Sequence, residues 1–155
     1  MYNVFIIGDA PGRDENKSGR GFVGDSGKLL WNELEKHGLQ RKMFHVSNVC
    51  KCWPSETKTP TMGQIGECGK HLAEELMQTE CRLAFVFGNT GLKFFLDQNF
   101  GIKRLSGTCK YIDKYSLFVV FCIHPASLLW QNGDENRQYF EAGIAKFVEV
   151  FKSFK

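Results

Sequence analysis

At 155 residues and 17.7 kDa the chain is long enough to build one hydrophobic core without disulfide or metal staples, and 43% hydrophobic with 14% aromatic residues excludes a disordered chain. A formal net charge of +3 and a sequence pI near 8.5 fit an anionic partner without requiring one. Apolar runs such as 117–123 are too short to span a bilayer and no signal-peptide cleavage pattern follows Ile7, so the expectation is a cytoplasmic, monomeric protein of one domain, 1–155, whose cysteines at 50, 52, 68, 81, 109 and 122 are reduced thiols.

The chain opens with Val4-Phe5-Ile6-Ile7, a buried-strand run that breaks at Gly8-Asp9-Ala10-Pro11-Gly12 into a polar, glycine-bearing loop reaching Phe22-Val23-Gly24. Ser26 to His37 carries Leu30, Trp31 and Leu34 between charges and predicts a helix, with Asp25 or Ser26 as N-cap and Gly38 at its end. Phe44 to Lys51 reads as a second strand that delivers Asn48 and Cys52 to its carboxyl end, followed by a loop punctuated by Pro54 and Pro60. Thr61 to Gln78 places Ile65, Cys68, Leu72 and Leu76 on one helical stripe despite three glycines. Arg82 to Phe87 is a continuous apolar strand ending at Gly88-Asn89, and a short helix restarts at Thr90 to Leu96. Leu105 to Tyr115 has the glycine and alternation of a small hairpin, Leu117 to Ile123 is the last buried strand, closed by His124-Pro125, and Glu135 to Phe154 is an amphipathic helix.

Strands alternating with helices call for a three-layer α/β/α domain around a central four-stranded parallel sheet. Ligands of such sheets sit outside the carboxyl ends of the strands, which gathers the loops 8–22, 48–60, 88–89 and 124–130 at one edge. No Gly-x-x-x-x-Gly-Lys-Ser/Thr phosphate loop and no Gly-x-Gly-x-x-Gly opening a helix is present, which disfavours a nucleotide-dependent kinase or dehydrogenase. What remains at that edge is an acid (Asp9), an aromatic (Phe22), an amide (Asn48) and a histidine (His124), a set suited to one planar heterocycle: a ring to stack on it, an amide to read its polar edge, a donor to stabilise developing negative charge. Each also has a packing alternative, Phe22 as core, Asn48 as a strand-end turn residue, His124 as a structural histidine.

The segments GDAPGRDENKSGRGFVGDSGKLL, VSNVCKCWP, the helix carrying Cys68, FGNTGLKFFL, IKRLSG and HPASLL resemble, in order and over nearly the whole chain, the uracil-DNA glycosylase superfamily, most closely its family 4. The resemblance implies a DNA glycosylase that flips uracil or a related deaminated or modified base and hydrolyses its glycosidic bond with water. It implies Gly8, Ala10, Phe22 and Asn48 as the base pocket, with Phe22 stacking and Asn48 bonding the pyrimidine edge. Asp9 would position or polarise the water, and His124 would donate toward the leaving base. Gly12, Arg13, Gly88, Asn89 and Ser127 would approach the DNA backbone, and Leu128 would wedge into the duplex.

Three departures from the family bear on the site. Asp9 stands where the family has Glu, and Gly21 replaces the Pro before Phe22. Family 4 holds a [4Fe-4S] cluster on four cysteines, of which Cys52 and Cys68 match two, while Met1-Tyr2-Asn3 leaves no room for the pair ahead of the first strand. Two thiolates do not complete such a cluster, so the expectation is no cofactor, with the cluster returning if an N-terminal segment precedes Met1. The alternative to an enzyme is a glycosylase-like DNA-binding protein of weak or absent activity, and a third option is a hydrolase of free nucleotides or nucleosides.

Overall fold

Five strands form one sheet in the order β2-β1-β3-β5-β4, with β1 (Val4–Gly8), β2 (His45–Asn48), β3 (Leu83–Phe87) and β5 (Leu117–Cys122) parallel and β4 (Thr108–Ile112) antiparallel to β5. The computed structural model describes residues 4–10, 18, 21–51, 62–98, 101–129 and 133–154. The expected three-layer class holds, but the sheet has one strand more than expected. Residues 105–115 are not a separate hairpin: Ile102–Leu105 is one helical turn, α4 once the helices are numbered, and Thr108–Ile112 joins the main sheet as its antiparallel edge. Half-exposed edge residues with a glycine before them carry the same pattern as a free hairpin, which is why the sequence did not separate the two.

The central strands β1 and β3 are buried throughout, as strands covered on both faces must be. Helices α1 (Asp25–Glu35), α2 (Met62–Gln78), α3 (Gly88–Leu96) and α5 (Gly133–Ser153) supply the layers. On one face α5 lays Phe147 on Phe85 with ring centroids 4.3 Å apart and planes within 11°. Phe121 pairs beside Val86, pointing the opposite way from Phe85, and meets Phe95 of α3 on the other face. Close approach depends on missing side chains: a Cβ at Gly91 would drive into Val86, and one at Gly143 into Cys122. Burial raises the Cys122 thiol well above the ordinary range and pushes that of Cys81 up to about 11, so both behave as small hydrophobes. No described helix is long and apolar enough to cross a membrane.

Parallel register then fixes the working edge. β1 pairs with β2 so that Gly8 lies opposite Asn48, and the ladder runs on through Val49 N–H to Gly8 O (3.0 Å) and Cys50 N–H to Asp9 O (2.9 Å). Asp9, Asn48, Gly88 and His124 therefore leave the sheet at the same carboxyl rim.

Candidate active site

Gly8 is the point where the cup closes. A Cβ there would stand 2.6 Å from Asn48 Oδ1 and 2.7 Å from Phe22 Cζ, so the absent side chain is what lets the amide and the ring meet over β1. Phe22 adopts a left-handed backbone, φ 53°, which is costly for an aromatic residue and persists only where surroundings impose it. Its ring is 6% exposed and edges against Trp31 and Phe87, with centroids 6.4 Å and 5.8 Å away. The imidazole of His124 lies 6.0 Å from it with planes within 18°.

Asp9 follows Gly8 and packs its carboxyl onto Gly88, whose φ of 86° and missing Cβ leave the space: a Cβ there would fall 2.7 Å from Oδ1. The Thr90 hydroxyl, buried in the first turn of α3, favours the charged form of this carboxyl. Oδ1 is sealed from solvent and has no hydrogen-bond partner among the described residues. Burial pushes the Asp9 carboxyl above the usual carboxylate range, and His124 and the Thr90 hydroxyl pull it back only in part.

His124 stands two residues past β5 at the head of the 3-10 turn Pro125–Leu129. The Ala126 N–H donates to its Nδ1 (3.1 Å), so in the neutral ring the proton sits on Nε2, which becomes a donor of fixed direction. Its carbonyl accepts from Ser127 N–H (2.9 Å) and Ser127 Oγ (2.7 Å). Behind the turn, buried Asn136 of α5 donates to Ser127 O at 3.3 Å. Ser106 Oγ accepts from Ile123 N–H (3.1 Å) and donates to Tyr139 O (2.6 Å), tying the end of β5 to the same helix.

The four residues that the sequence put together thus meet, with half-buried Ala10 beside them. Four others make contacts within the fold that the expectation did not include. Ser127 is 9% exposed and its hydroxyl donates to the His124 carbonyl, holding the turn. Leu128 packs against the core, while Leu129 is 53% exposed and is the apolar side chain the turn presents outward. Asn89 is exposed, but its Oδ1 accepts from Ile102 N–H (3.2 Å), capping the one-turn helix α4. Gly88 is buried beneath Asp9 and gives backbone conformation rather than an open surface. Gly12, Arg13 and Cys52 lie outside the described residues. Thr90 was missed, although a hydroxyl directly after Gly88-Asn89 at a helix start was a readable signal.

A family model described as Uracil DNA glycosylase superfamily matches residues 2–148. The chain belongs to the uracil DNA glycosylase superfamily. It is 30% identical over 153 residues to the type-4 uracil-DNA glycosylase of Archaeoglobus fulgidus, covering 95% of this chain and 76% of that protein. It is similarly 30% identical to that of Thermotoga maritima, covering 97% and 77%, and 27% identical to that of Pyrobaculum aerophilum, covering 96% and 82%. Within this superfamily member, no three His, Cys, Asp or Glu side chains among the described residues gather where they could hold a metal ion. Of the two thiols matched to a cluster, Cys68 is half-buried on α2.

Proposed function

We propose that this chain is a monofunctional uracil-DNA glycosylase of base excision repair. It extrudes uracil, or a related deaminated or modified base, and hydrolyses the N-glycosidic bond with water to leave an abasic site. The observation that carries the reading is the convergence of a stacking ring and an amide on one glycine, Gly8, with a directed imidazole donor beside that ring at the carboxyl rim. A flipped base reaches Phe22 on the side bordered by Gly8, Asn48 and His124, since Trp31 and Phe87 occupy other edges of the ring. The Asn48 amide hydrogen-bonds the pyrimidine edge. As the bond breaks, charge accumulates on the base, and His124 Nε2–H is the donor aimed at it. The Asp9 carboxylate then orients the water and faces the cationic sugar. Leu129 fills the stack where the base left, because Leu128 is held in the core.

The chain acts as one domain on DNA, and Cys52 and Cys68 are the thiols that would supply two of the four ligands of a cluster. Oligonucleotides carrying uracil, hypoxanthine or 5-modified pyrimidines, single- and double-stranded, test the activity. Uracil excision should fall about 100-fold or more in His124→Ala, the size of losing one donor to a developing anion. No abasic product from wild type on any substrate ends the enzyme reading.

One observation favours a second reading, DNA binding without turnover: a carboxyl one methylene short, with Oδ1 sealed and without a partner among the described residues, is poorly placed to hold water. Tight, salt-dependent binding without product selects it.

A further inference from the structure

The backbone of Phe22 is held by side chains that neither the pocket nor the sequence motif includes. Its carbonyl accepts from the Trp31 indole Nε1–H at 3.0 Å and from Arg41 Nη1 at 3.2 Å. Trp31 sits on α1 and Arg41 in the 3-10 turn Arg41–Met43 ahead of β2, so the donors come from separate elements. They are braced together: the Arg41 guanidinium lies 5.2 Å from the Trp31 ring centroid, and Trp31 stacks on Phe44 with centroids 6.5 Å apart and planes within 21°. On the remaining side Gly27 of α1 leaves no room for a Cβ against the Phe22 carbonyl.

A loop carbonyl is ordinarily satisfied by backbone or water. Two side-chain donors, one charged, on a single carbonyl of a residue in the left-handed region is the arrangement that over-determines a strained conformation. We infer that Trp31 and Arg41 are positioning residues that clamp the Phe22 carbonyl and so aim its ring at the base before DNA binds. Releasing either donor lets φ of Phe22 relax toward negative values. The ring then swings away from Gly8 and Asn48, and excision slows while DNA contacts elsewhere persist.

The kinetic consequence rests on the glycosylase reading; the clamp itself does not. Single-turnover uracil excision and the Kd for an abasic-site duplex are compared for wild type, Trp31→Phe, which keeps the ring but removes the donor, Arg41→Gln and Arg41→Lys. Trp31→Phe and Arg41→Gln should each slow excision about tenfold with Kd unchanged within about twofold, and Arg41→Lys should recover part of the loss. Unchanged rates, or a rate loss matched by weakened binding, overturn the inference. If Trp31→Phe does not fold, the Arg41 pair decides alone. If wild type excises nothing, the glycosylase reading fails and nitrogen-15 NMR judges the clamp. The Trp31 indole proton should exchange with solvent at least about tenfold more slowly than in free tryptophan, and faster in Arg41→Gln. Exchange as fast as the free amino acid refutes it.

Discussion

In the proposed reaction the carboxyl of Asp9 sets fold and chemistry against each other, because the charge that reaction needs is favoured by His124 and the Thr90 hydroxyl but opposed more strongly by burial. A carboxyl whose folded pKa lies above its unfolded value binds its proton more tightly in the folded state. Its contribution therefore favours folding below the ordinary carboxylate range and turns against it as pH rises through the raised value. Asp9→Asn removes the charge at nearly constant shape. At pH 8 it should raise stability by about 1 kcal/mol, a Tm gain of roughly 3 °C, and the gain should vanish near pH 4. The same change should slow excision about 100-fold. Differential scanning calorimetry at both pH values, with single-turnover rates at pH 8, checks it, and a variant less stable than wild type at pH 8 contradicts the burial argument. In the wild type, excision should rise with pH through the raised Asp9 pKa, since the ionised form is the one that holds water. None of this was legible from Asp9 in the sequence, where an acid after a glycine is equally a turn residue; its surroundings include Gly88 and Thr90, about eighty residues away.

At the level of elements, the turn Pro125–Leu129 and helix α1 do the positioning, and each has a substitution whose sign is informative. The turn divides two adjacent leucines between core and solvent. Leu129→Ala should leave stability within about 0.5 kcal/mol, yet slow excision from duplex DNA about tenfold and from single strands much less, since only a duplex has a stack to fill. Leu128→Ala should cost about 1–2 kcal/mol with the duplex-to-single-strand ratio unchanged. The reverse pattern restores Leu128 as the wedge. In α1, Gly27→Ala tests close approach against propensity. An interior helical glycine usually gains about 1 kcal/mol on replacement by alanine, but here the new methyl meets the Phe22 carbonyl. Overpacking against backbone should turn the gain into a loss of about 2 kcal/mol in urea unfolding, with excision slowed as well. A stabilised variant would show that the helix slides freely and that Phe22 is not pinned from that side. The sequence showed α1 through its Leu30 and Leu34 spacing. It hid Trp31, which fits the same stripe as core and reveals its donor role only when the left-handed residue nine positions earlier is in view.

For the molecule as a whole, what was readable followed from period and burial. The strands at 4–8, 83–87 and 117–122 announce themselves because both faces are covered, and the placement of Asp9, Asn48 and His124 at one rim was readable because parallel strands end on the same edge. The edge strand β4 was misread because its residues are mostly half-exposed, and the conformation of Phe22 was hidden because no local pattern signals a positive φ in an aromatic residue. Core and site are accordingly separable. Phe147 is fully buried between Phe85, Phe44 and Phe151, on the layer formed by α5, while Asp9, Asn48 and His124 lie at the sheet's carboxyl rim. Phe147→Ala removes the central ring of that cluster and should cost about 3–5 kcal/mol, lowering Tm by roughly 10–15 °C in a domain of this size. A domain of this kind typically holds only about 5–15 kcal/mol in total, so the variant stays mostly folded at 15 °C. There its excision rate per folded molecule should match wild type within about twofold, because the ladder from Gly8 to Asn48 and the Ala126 hydrogen bond to His124 do not pass through Phe147. Calorimetry together with active-site titration at 15 °C separates the two quantities. A large loss of rate in fully folded protein would mean that the α5 layer sets the geometry of the rim, through Asn136 and the His124 turn, rather than only supporting it.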